Sequence, residues 1–333
     1  MRAPAPRVSV AVTTAGRPEL LRHALRSIAA QTLSPDEVVV SEDGADELTA
    51  AAVGEAAATG LPVALHRNVP PLGQRGNRQR AFELTRGTYV AMLDDDDEWE
   101  AEFLEQAVAA LDGHADCGFV SSDHWIIDGD GTVLPDATET ASRLFGRSDM
   151  VEGTYDDVLV RHLRRRSFAL GVSLFRRAEL VRVGFFPVYA GAAPDYALFL
   201  ELGASRINAY YLAQRLGRYR AHRTQVTGDR VSVGRDTIGV LEELYRSGRL
   251  TAEERRLVAT EYRRRVIEVA IGFGHLGRRC KAFRALSRYA RLGWERPRLG
   301  RAAVLALLLV GIRPSWRDAF ARRRRRAAAR GSG

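Results

Sequence analysis

The chain has 333 residues, of which 46% are hydrophobic and 27% are charged, as in ordinary globular proteins. This composition excludes a wholly disordered or fibrous protein, and the length allows one large domain with an appendage or two ordinary domains. The two cysteines, Cys117 and Cys280, lie far apart, which excludes a disulfide scaffold and argues against a zinc site built on cysteine. The cytoplasm is therefore the expected compartment.

The net charge of +9 is unevenly distributed along the chain. Residues 235–333 contain 25 basic and 9 acidic residues, a net charge of +16, whereas residues 1–234 contain 25 basic and 32 acidic residues, a net charge of −7. This asymmetry predicts two parts with different roles. Because no recognised nucleic-acid-binding motif accompanies the basic part, we expect no nucleic acid partner.

Short apolar runs alternate with helical patterns in the first hundred residues, as in the βαβ units of a parallel sheet. Strands are predicted at Arg7–Val12, Glu37–Ser41, Pro62–His66 and Thr88–Leu93. Helices are predicted from Pro18 to Ile28, over Glu47–Ala58 and over Arg78–Arg86, the last after a loop from Asn68 to Gly76. The fold class is therefore an α/β protein with an open sheet flanked by helices.

The pattern becomes more irregular downstream. Further strands are predicted at Gly118–Ile127, Ala169–Phe175 and Asn208–Tyr219, with a loop-rich stretch up to Gly153 and a short helix over Pro194–Gly203. From Arg235 onward the pattern is helical throughout.

The most apolar run, Ala302–Ile312, has 11 residues, well short of the ~20 that a membrane-spanning helix needs. We therefore expect a protein that is not integral to the membrane. Because arginines flank the run, one hypothesis is that residues 297–326 contact an anionic membrane or a lipid-linked acceptor at the inner face of the membrane. A buried helix that completes the domain is the alternative.

Four consecutive aspartates follow the predicted strand Thr88–Leu93 without a break. Ligands of open α/β sheets bind outside the carboxyl ends of the strands, so Asp94–Asp97 lie where a ligand is expected. Adjacent carboxylates repel each other unless a cation neutralises them, and Mg²⁺ or Mn²⁺ with oxygen ligands fits best. The alternative is a solvated acidic turn that caps the next helix. The cluster predicts a divalent metal site.

Two further strand ends contribute polar groups to the same edge of the predicted sheet. Thr13 follows the first strand, and Glu42 and Asp43 follow the second. A carboxylate accepts the imide N–H of a pyrimidine base, and nearby arginines balance phosphate charge. Those arginines are Arg75, Arg78 and Arg80. A plain surface role is the alternative for each arginine.

Together these segments resemble the family 2 glycosyltransferases of the GT-A fold. The resemblance is carried by Val8–Thr14, Arg17–Leu21, Ser27–Gln31, Pro35–Gly44 and Arg86–Trp99. It extends over roughly Arg7 to Thr227, two thirds of the chain. It implies a GT-A domain over residues 1–234, with a nucleotide-sugar half of about 1–115 and an acceptor half of about 116–234, followed by the basic α-helical region 235–333.

The resemblance implies which residues bind the nucleotide sugar. Thr13 and Glu42 stand where the family holds the base, although the family usually has Asp at the position of Glu42. Arg78 matches the arginine of the family's Arg-Asn element, with Gln79 in place of the Asn. The complete predicted set is Thr13, Arg17, Glu42, Asp43, Arg78, Asp94, Asp95 and Asp96.

The resemblance also implies a metal cofactor, Mn²⁺ or Mg²⁺. Asp94 and Asp96 match the two acids of the family's Asp-X-Asp motif, and Asp97 is a substitute for Asp96. His222, in a segment that resembles the family's Arg-X-His element, is a further predicted metal ligand. A structural histidine is the alternative.

The catalytic residue implied by the resemblance is Asp195. Segments Gly171–Arg177 and Val183–Pro187 resemble those that precede the family's catalytic aspartate, although Pro194 replaces the glutamate that usually comes before it. A carboxylate here removes the proton of the acceptor hydroxyl, while an N-cap of the next helix is the alternative role. On the strand after the aspartates, Asp123 and Trp125 are predicted acceptor contacts, with core packing as the alternative.

The implied reaction is displacement at the anomeric carbon with inversion, catalysed by a hexosyltransferase. We expect a uridine or thymidine diphosphate sugar as the donor, with a guanosine diphosphate sugar as the second choice, and a hydroxyl group of a glycan, a lipid-linked saccharide or a small molecule as the acceptor. The alternatives are a nucleotidyltransferase and a non-catalytic carbohydrate- or nucleotide-binding relative. The first strand is not followed by G-x-G-x-x-G, which argues against a dinucleotide oxidoreductase.

Overall fold

The structure, a computed structural model, describes residues 7–221 and 230–287, which form a mixed sheet with helices on both faces. Its strands are β1 (Val8–Thr14), β2 (Glu37–Glu42), β3 (Val63–Arg67), β4 (Tyr89–Asp94), β5 (Glu98–Trp99), β6 (Cys117–Ile127), β7 (Gly153–Tyr155), β8 (Ser173–Arg176) and β9 (Asn208–Arg220). Its α-helices are α1 (Pro18–Ala29), α2 (Glu47–Ala58), α3 (Gly73–Leu84), α4 (Phe103–Gly113), α5 (Pro135–Leu144), α6 (Val158–Arg165), α7 (Arg177–Val183), α8 (Pro194–Ala204), α9 (Arg230–Arg246), α10 (Ala252–His275) and α11 (Arg279–Ser287).

The strand order within the described residues is β3-β2-β1-β4-β8-β6-β9-β5, and β7 also pairs with β9. Strands β1 to β4 are parallel, as their βαβ pattern predicts. Register places Thr14 beside Glu42 and Thr13 beside Asp94, so three strands end together at one edge. Strand β8 runs antiparallel to both β4 and β6 and joins the two halves of the sheet.

Helices α3 and α5 differ from the sequence prediction. Helix α3 begins at Gly73, within the predicted loop, because the side chain of Asp43 accepts the backbone N–H groups of Leu72 and Gly73 at 2.5 and 3.0 Å. Helix α5 lies in the stretch predicted to be loop-rich. It begins with Pro135 and is fixed to β6 by the Ile126 N–H, which donates to Thr138 Oγ1 at 2.9 Å.

Three apolar clusters form the core. One packs α1, α2 and α4 against one face of the sheet, and an aromatic cluster of Phe82, Phe119, Phe175 and Phe199 fills the opposite face. The third joins α6 and α8 to α9 and α10.

The helical region packs directly on the sheet-containing part of the chain. The predicted division between residues 234 and 235 falls inside α9, and the division into domains stays a prediction. None of the helices in the described ranges combines the length and hydropathy that a membrane crossing requires. The predicted membrane-contacting segment, residues 297–326, lies outside the described residues.

We predict opposite effects for alanine at two helical glycines. A Cβ at Gly203 of α8 would lie 2.4 Å from the backbone nitrogen of Leu159 in α6, so Gly203→Ala forces the two helices apart and destabilises the fold by about 1–3 kcal/mol. A Cβ at Gly54 of α2 meets no atom within 4 Å, so Gly54→Ala stabilises by about 0.5–1 kcal/mol. Urea unfolding of both variants measures the difference, and equal effects would contradict the close packing of α6 on α8.

Candidate functional site

The carboxyl ends of β1 and β4 are held together by hydroxyl–carboxylate hydrogen bonds. Thr13 Oγ1 donates to Asp94 Oδ1 at 2.8 Å, and Thr14 Oγ1 donates to Asp95 Oδ2 at 2.6 Å. Arg17 joins the same group, because its Nε donates to Asp95 Oδ2 at 3.0 Å and its Nη1 donates to Asp96 Oδ2 at 2.9 Å. The aspartates after β4 therefore form a structured cluster, balanced by an arginine from the start of α1.

Asp95 is fully buried behind this cluster. Burial is the largest influence on its carboxyl group and raises the pKa to about 7, although Arg17 and Thr14 favour the ionised form. Asp95 anchors Arg17 and Thr14 from below, whereas Thr13, Arg17, Asp94 and Asp96 face an open cavity.

Arg78 links two acids that come from distant parts of the chain. Its Nη1 donates to Asp195 Oδ1 at 2.6 Å, and its Nε and Nη2 donate to the two carboxylate oxygens of Asp94. Arg78 is only 5% exposed, so these are strong contacts in a poorly solvated site. Burial opposes ionisation of both acids. At Asp94 the attraction of Arg78 prevails and lowers the pKa, whereas at Asp195 burial prevails and raises it.

The cavity around these groups has a volume of about 460 Å³. It extends from the ends of β1 and β2 to the first turn of α8, where Asp195 lies. Of the predicted site residues, the cavity is lined by Thr13, Arg17, Asp43, Arg78, Asp94, Asp96 and Asp195. The structure therefore brings most of the predicted nucleotide-sugar site and the predicted base into one space.

Three acids of the cavity are arranged in a way that suits a divalent cation. Carboxylate oxygens of Asp94, Asp96 and Asp97 all lie within 4.8 Å of one another. Burial and the charges of Asp96 and Asp94 raise the pKa of Asp97 well above its ordinary value, so an added positive charge would relieve this repulsion. Oxygen donors in this number fit Mg²⁺ or Mn²⁺. His222, the other predicted ligand, lies outside the described residues.

The end of β9 holds the backbone of the acidic turn in place. The Arg220 backbone N–H donates to Asp97 Oδ1 at 3.0 Å, and Arg220 Nε donates to the Asp96 carbonyl oxygen at 3.1 Å. The same side chain forms an ion pair with Glu98. Arg220 thus orients the carboxylates from behind.

The two acids at the end of β2 have structural partners. Glu42 is fully buried, accepts the Asp46 N–H at 2.8 Å, and forms an ion pair with Arg67 at 3.1 Å. Asp43 lines the cavity and also caps α3, the helix that carries Arg78. The base contact expected of Glu42 stays a prediction, and Asp43 is the acid of this strand end that reaches the cavity.

A second cavity of about 380 Å³ adjoins the first. Asp94, Asp97, Arg166, Asp195, Tyr196 and Tyr219 line both cavities. The remaining walls of the second cavity are largely apolar and include Ile126, Phe145, Phe168 and Leu170. Asp195 therefore stands at the junction of a polar, acidic cavity and a more apolar one.

The predicted acceptor contacts on β6 lie beside this second cavity. Asp123 is buried and bonded to Arg147 Nε at 2.5 Å, and Trp125 stacks with Arg215, whose guanidinium carbon is 4.6 Å from the ring centre. The residues of this strand that line the cavity are His124 and Ile126. Burial and the charge of Arg147 lower the pKa of His124 to about 3, so its ring is neutral. Acceptor contact by Asp123 and Trp125 stays a prediction.

Sequence reasoning missed three residues of the site. Asn77 is buried beside Arg78, donates to the Thr14 carbonyl oxygen at 3.2 Å, and accepts from Asn68 at 2.9 Å. Its position next to Arg78 was the available signal. Arg166 and Tyr196 line both cavities. Tyr196 directly follows Asp195, whereas Arg166 lies in a run of arginines that gives no local signal.

The chain was compared with known proteins. Residues 9–164 match the sequence model of glycosyl transferase family 2. The amylovoran biosynthesis glycosyltransferase AmsB of Erwinia amylovora is 29% identical over 152 residues, which are 38% of this chain and 50% of AmsB. The chain therefore spans about half the length of this curated relative.

Solved structures share the fold across nearly the whole chain. S. aureus TarS 1-349 in complex with UDP-GlcNAc has a TM-score of 0.70 at 18% identity and covers 94% of this chain and 92% of that one. The mannosyltransferase PcManGT from Pyrobaculum calidifontis, in complex with GDP-Man and Mn²⁺, has a TM-score of 0.59 at 21% identity, with coverages of 90% and 79%. The GT-A fold predicted from the sequence is confirmed.

The chain is therefore similar to glycosyl transferase family 2 over residues 9–164. The family predicted from the sequence motifs is confirmed, and the matched segment contains every predicted nucleotide-sugar-binding residue.

We predict a pH-dependent stability difference between the wild type and Asp95→Asn. The folded-state pKa of about 7 lies above the ordinary 3.8, so between these pH values the unfolded wild type loses the Asp95 proton while the folded state keeps it. Raising the pH through this range therefore lowers the stability of the wild type by up to about 4 kcal/mol, and Asp95→Asn has no such loss. The stability of Asp95→Asn relative to wild type should therefore rise from pH 4 to pH 8. Chemical unfolding in EDTA measures it, with Asp130→Asn in an exposed turn as the control. A difference independent of pH would contradict the raised pKa.

Proposed function

We propose that this protein transfers a sugar from a nucleotide diphosphate sugar to a hydroxyl group of an acceptor, with inversion and with help from a divalent metal. One observation carries the proposal: the cluster of Asp94, Asp96 and Asp97 and the carboxyl group of Asp195 share one cavity and are linked by Arg78. An acidic metal-type cluster and a separate carboxylate base are the two parts that such a displacement needs.

The donor is proposed to lie in the first cavity. Asp43 and Asn77 line the end of the cavity near β2, where the base is expected, and Arg17 and Arg78 supply positive charge near the aspartates. Arginine binds two phosphate oxygens at once, which favours a diphosphate over a neutral ligand. TarS was solved with UDP-GlcNAc and PcManGT with GDP-Man, which supports a diphosphate sugar. We favour UDP or dTDP as the nucleotide, with GDP as the second choice.

Mn²⁺ or Mg²⁺ would be held by Asp94, Asp96 and Asp97, with His222 as a proposed further ligand. When bound, the ion supplies Lewis-acid stabilisation of the negative charge on the leaving diphosphate. PcManGT contains Mn²⁺, which supports this choice. Arg17 forms an ion pair with Asp96, and Arg78 forms one with Asp94. Both arginines line the donor cavity and would also offset the negative charge of the diphosphate.

Asp195 is proposed as the general base. Its side chain is 43% exposed at the junction of the two cavities. Arg78 donates its hydrogen bond to Oδ1 of Asp195 and not to Oδ2. Oδ2 thus has room to accept the proton of the attacking hydroxyl. The first turn of α8 and the guanidinium of Arg78 keep the carboxylate oriented. Attack from the side of Asp195, opposite the leaving diphosphate, gives inversion.

The acceptor class is proposed to be a growing polysaccharide or a lipid-linked saccharide. The name of AmsB describes a glycosyltransferase of amylovoran biosynthesis, which supports an acceptor that is built up by sugar transfer. A cytoplasmic location, with peripheral contact at the inner face of the membrane through residues 297–326, would place the enzyme beside lipid-linked acceptors.

A nucleotide-binding screen tests the donor site. Thermal unfolding of the wild type is measured with UDP, dTDP, GDP, ADP and CMP, with and without Mn²⁺. We expect one nucleotide to raise the Tm only with Mn²⁺, because the aspartate cluster would hold an ion that offsets the negative charge of the phosphates. At a hundredfold excess over Kd the stabilisation is about 2.7 kcal/mol. Asp96→Ala should abolish this rise, and Asp130→Asn should retain it. Failure of every nucleotide to bind the folded wild type would contradict the proposal.

The role of Asp195 is tested with Asp195→Asn, which keeps an oxygen for Arg78 but removes the base. Sugar transfer should fall 10²- to 10⁴-fold while donor affinity changes by less than about threefold. Product analysis with a donor labelled in the sugar distinguishes glycosyl transfer from nucleotidyl transfer, because only the former moves the sugar without phosphate. A variant that retains the wild-type rate would show that the base lies elsewhere.

A further inference from the structure

Buried polar groups without partners are concentrated in the lining of the second cavity and beside it. Five buried side-chain nitrogen or oxygen atoms in the described residues lack a hydrogen-bond partner. Four of them belong to His162, Arg166, Ser167 and Tyr196, and the rings of His162 and Tyr196 are 5.4 Å apart. His162 and Tyr196 are 2% and 4% exposed and line this cavity. Because buried polar groups are nearly always satisfied, such a concentration indicates a missing polar ligand.

Arg166 indicates that this ligand is negatively charged. Five arginines line the two cavities, and four of them form ion pairs with acids: Arg17, Arg78, Arg147 and Arg218. Arg166 has no carboxylate within ion-pair distance among the described residues. Its guanidinium lies over the ring of Tyr196 at 4.4 Å, and its Nη2 makes one 3.3 Å hydrogen bond to Thr237. A cation that is largely removed from water without a counter-charge is costly, and an anion at this point would offset the cost.

The surroundings of Arg166 favour an anion further. The acid whose charge acts on Arg166 is Glu261, and its carboxylate already accepts hydrogen bonds from Arg264 and Arg265. Burial and the charge of Arg265 lower the pKa of Arg166, which is the response of a cation in a region of surplus positive charge.

We propose that the second cavity binds the acceptor, and that the acceptor carries an anionic group, a carboxylate or a phosphate, held by Arg166 with Tyr196 and His162 beside it. This proposal rests on the proposed function, because Asp195 at the junction of the cavities defines which side receives the acceptor hydroxyl. Phe145, Phe168 and Leu170 supply apolar walls of the kind that pack against sugar rings.

Calorimetric titration of the full-length protein in EDTA, at constant ionic strength, tests the proposal. The probes are glucuronate, glycerol 1-phosphate and the neutral methyl glucoside. At least one anionic probe should bind with a Kd in the millimolar range and at least tenfold more tightly than methyl glucoside. Arg166→Gln should weaken this binding at least tenfold. Arg164→Gln, which removes an equal charge from an exposed position of α6, should change it less than twofold.

The anion that binds identifies the source of the charge: glucuronate indicates a uronic acid and glycerol 1-phosphate a phosphorylated acceptor. Should Arg166→Gln fail to fold, Tyr196→Phe, which removes only the unpartnered hydroxyl, should still weaken binding about threefold. No binding of either anion, or equal binding by wild type and the folded variants, overturns the proposal. Anion binding without any nucleotide binding would refute only the donor site, and the reverse result would refute only this inference.

Discussion

Mutual repulsion among carboxyl groups is the constraint on which the arrangement of the site depends. Asp94, Asp96 and Asp97 lie close together at the end of one strand, and Asp195 approaches from α8. Arg78 makes this possible, because its guanidinium pairs with Asp94 and Asp195 at once and is almost completely removed from solvent. Loss of either acid would leave the buried guanidinium of Arg78 with only one counter-charge, so the two ion pairs hold α3, β4 and α8 in a fixed relation.

The two cavities differ in the polarity of their walls, and the same pairing of arginines with acids accounts for the charged character of the first. Around the strand ends, each lining arginine is paired with an acid, so the first cavity combines both signs of charge and suits a phosphate-bearing ligand with a cation. Beyond Asp195 the walls become aromatic and aliphatic, and the imidazoles of His124 and His162 are kept neutral by burial and by nearby arginines. Asp195 alone among the acids of α8 faces both environments.

The part of the site that the sequence predicted follows from strand geometry. Parallel strands end at one edge, so Thr13, Asp43 and Asp94 had to meet once the βαβ pattern was recognised. The prediction of Asp195 depended on the family resemblance, because no sequence pattern between Asp94 and Asp195 indicates that the two residues lie close together in the fold. The early start of α3 depends on capping by Asp43, and the partner of Glu42 is Arg67 on a neighbouring strand. Arg166 acquires its position because the end of α6 packs against α8 and α10, which no local sequence pattern encodes.

The helices after residue 230 have a consequence for any attempt to work with a shorter chain. Asp236 of α9 accepts the backbone N–H of Ala192 at 2.9 Å, just before the turn of α8 that carries Asp195, and Val233 forms part of the first cavity wall. Ile238 and Leu241 share an apolar cluster with Tyr196 of α8. Cutting the chain at residue 234 would thus remove this support from the loop before Asp195, the proposed base, and would expose an apolar surface. The described helices after residue 230 therefore support the sheet-containing part of the chain, and a shortened chain has to retain them.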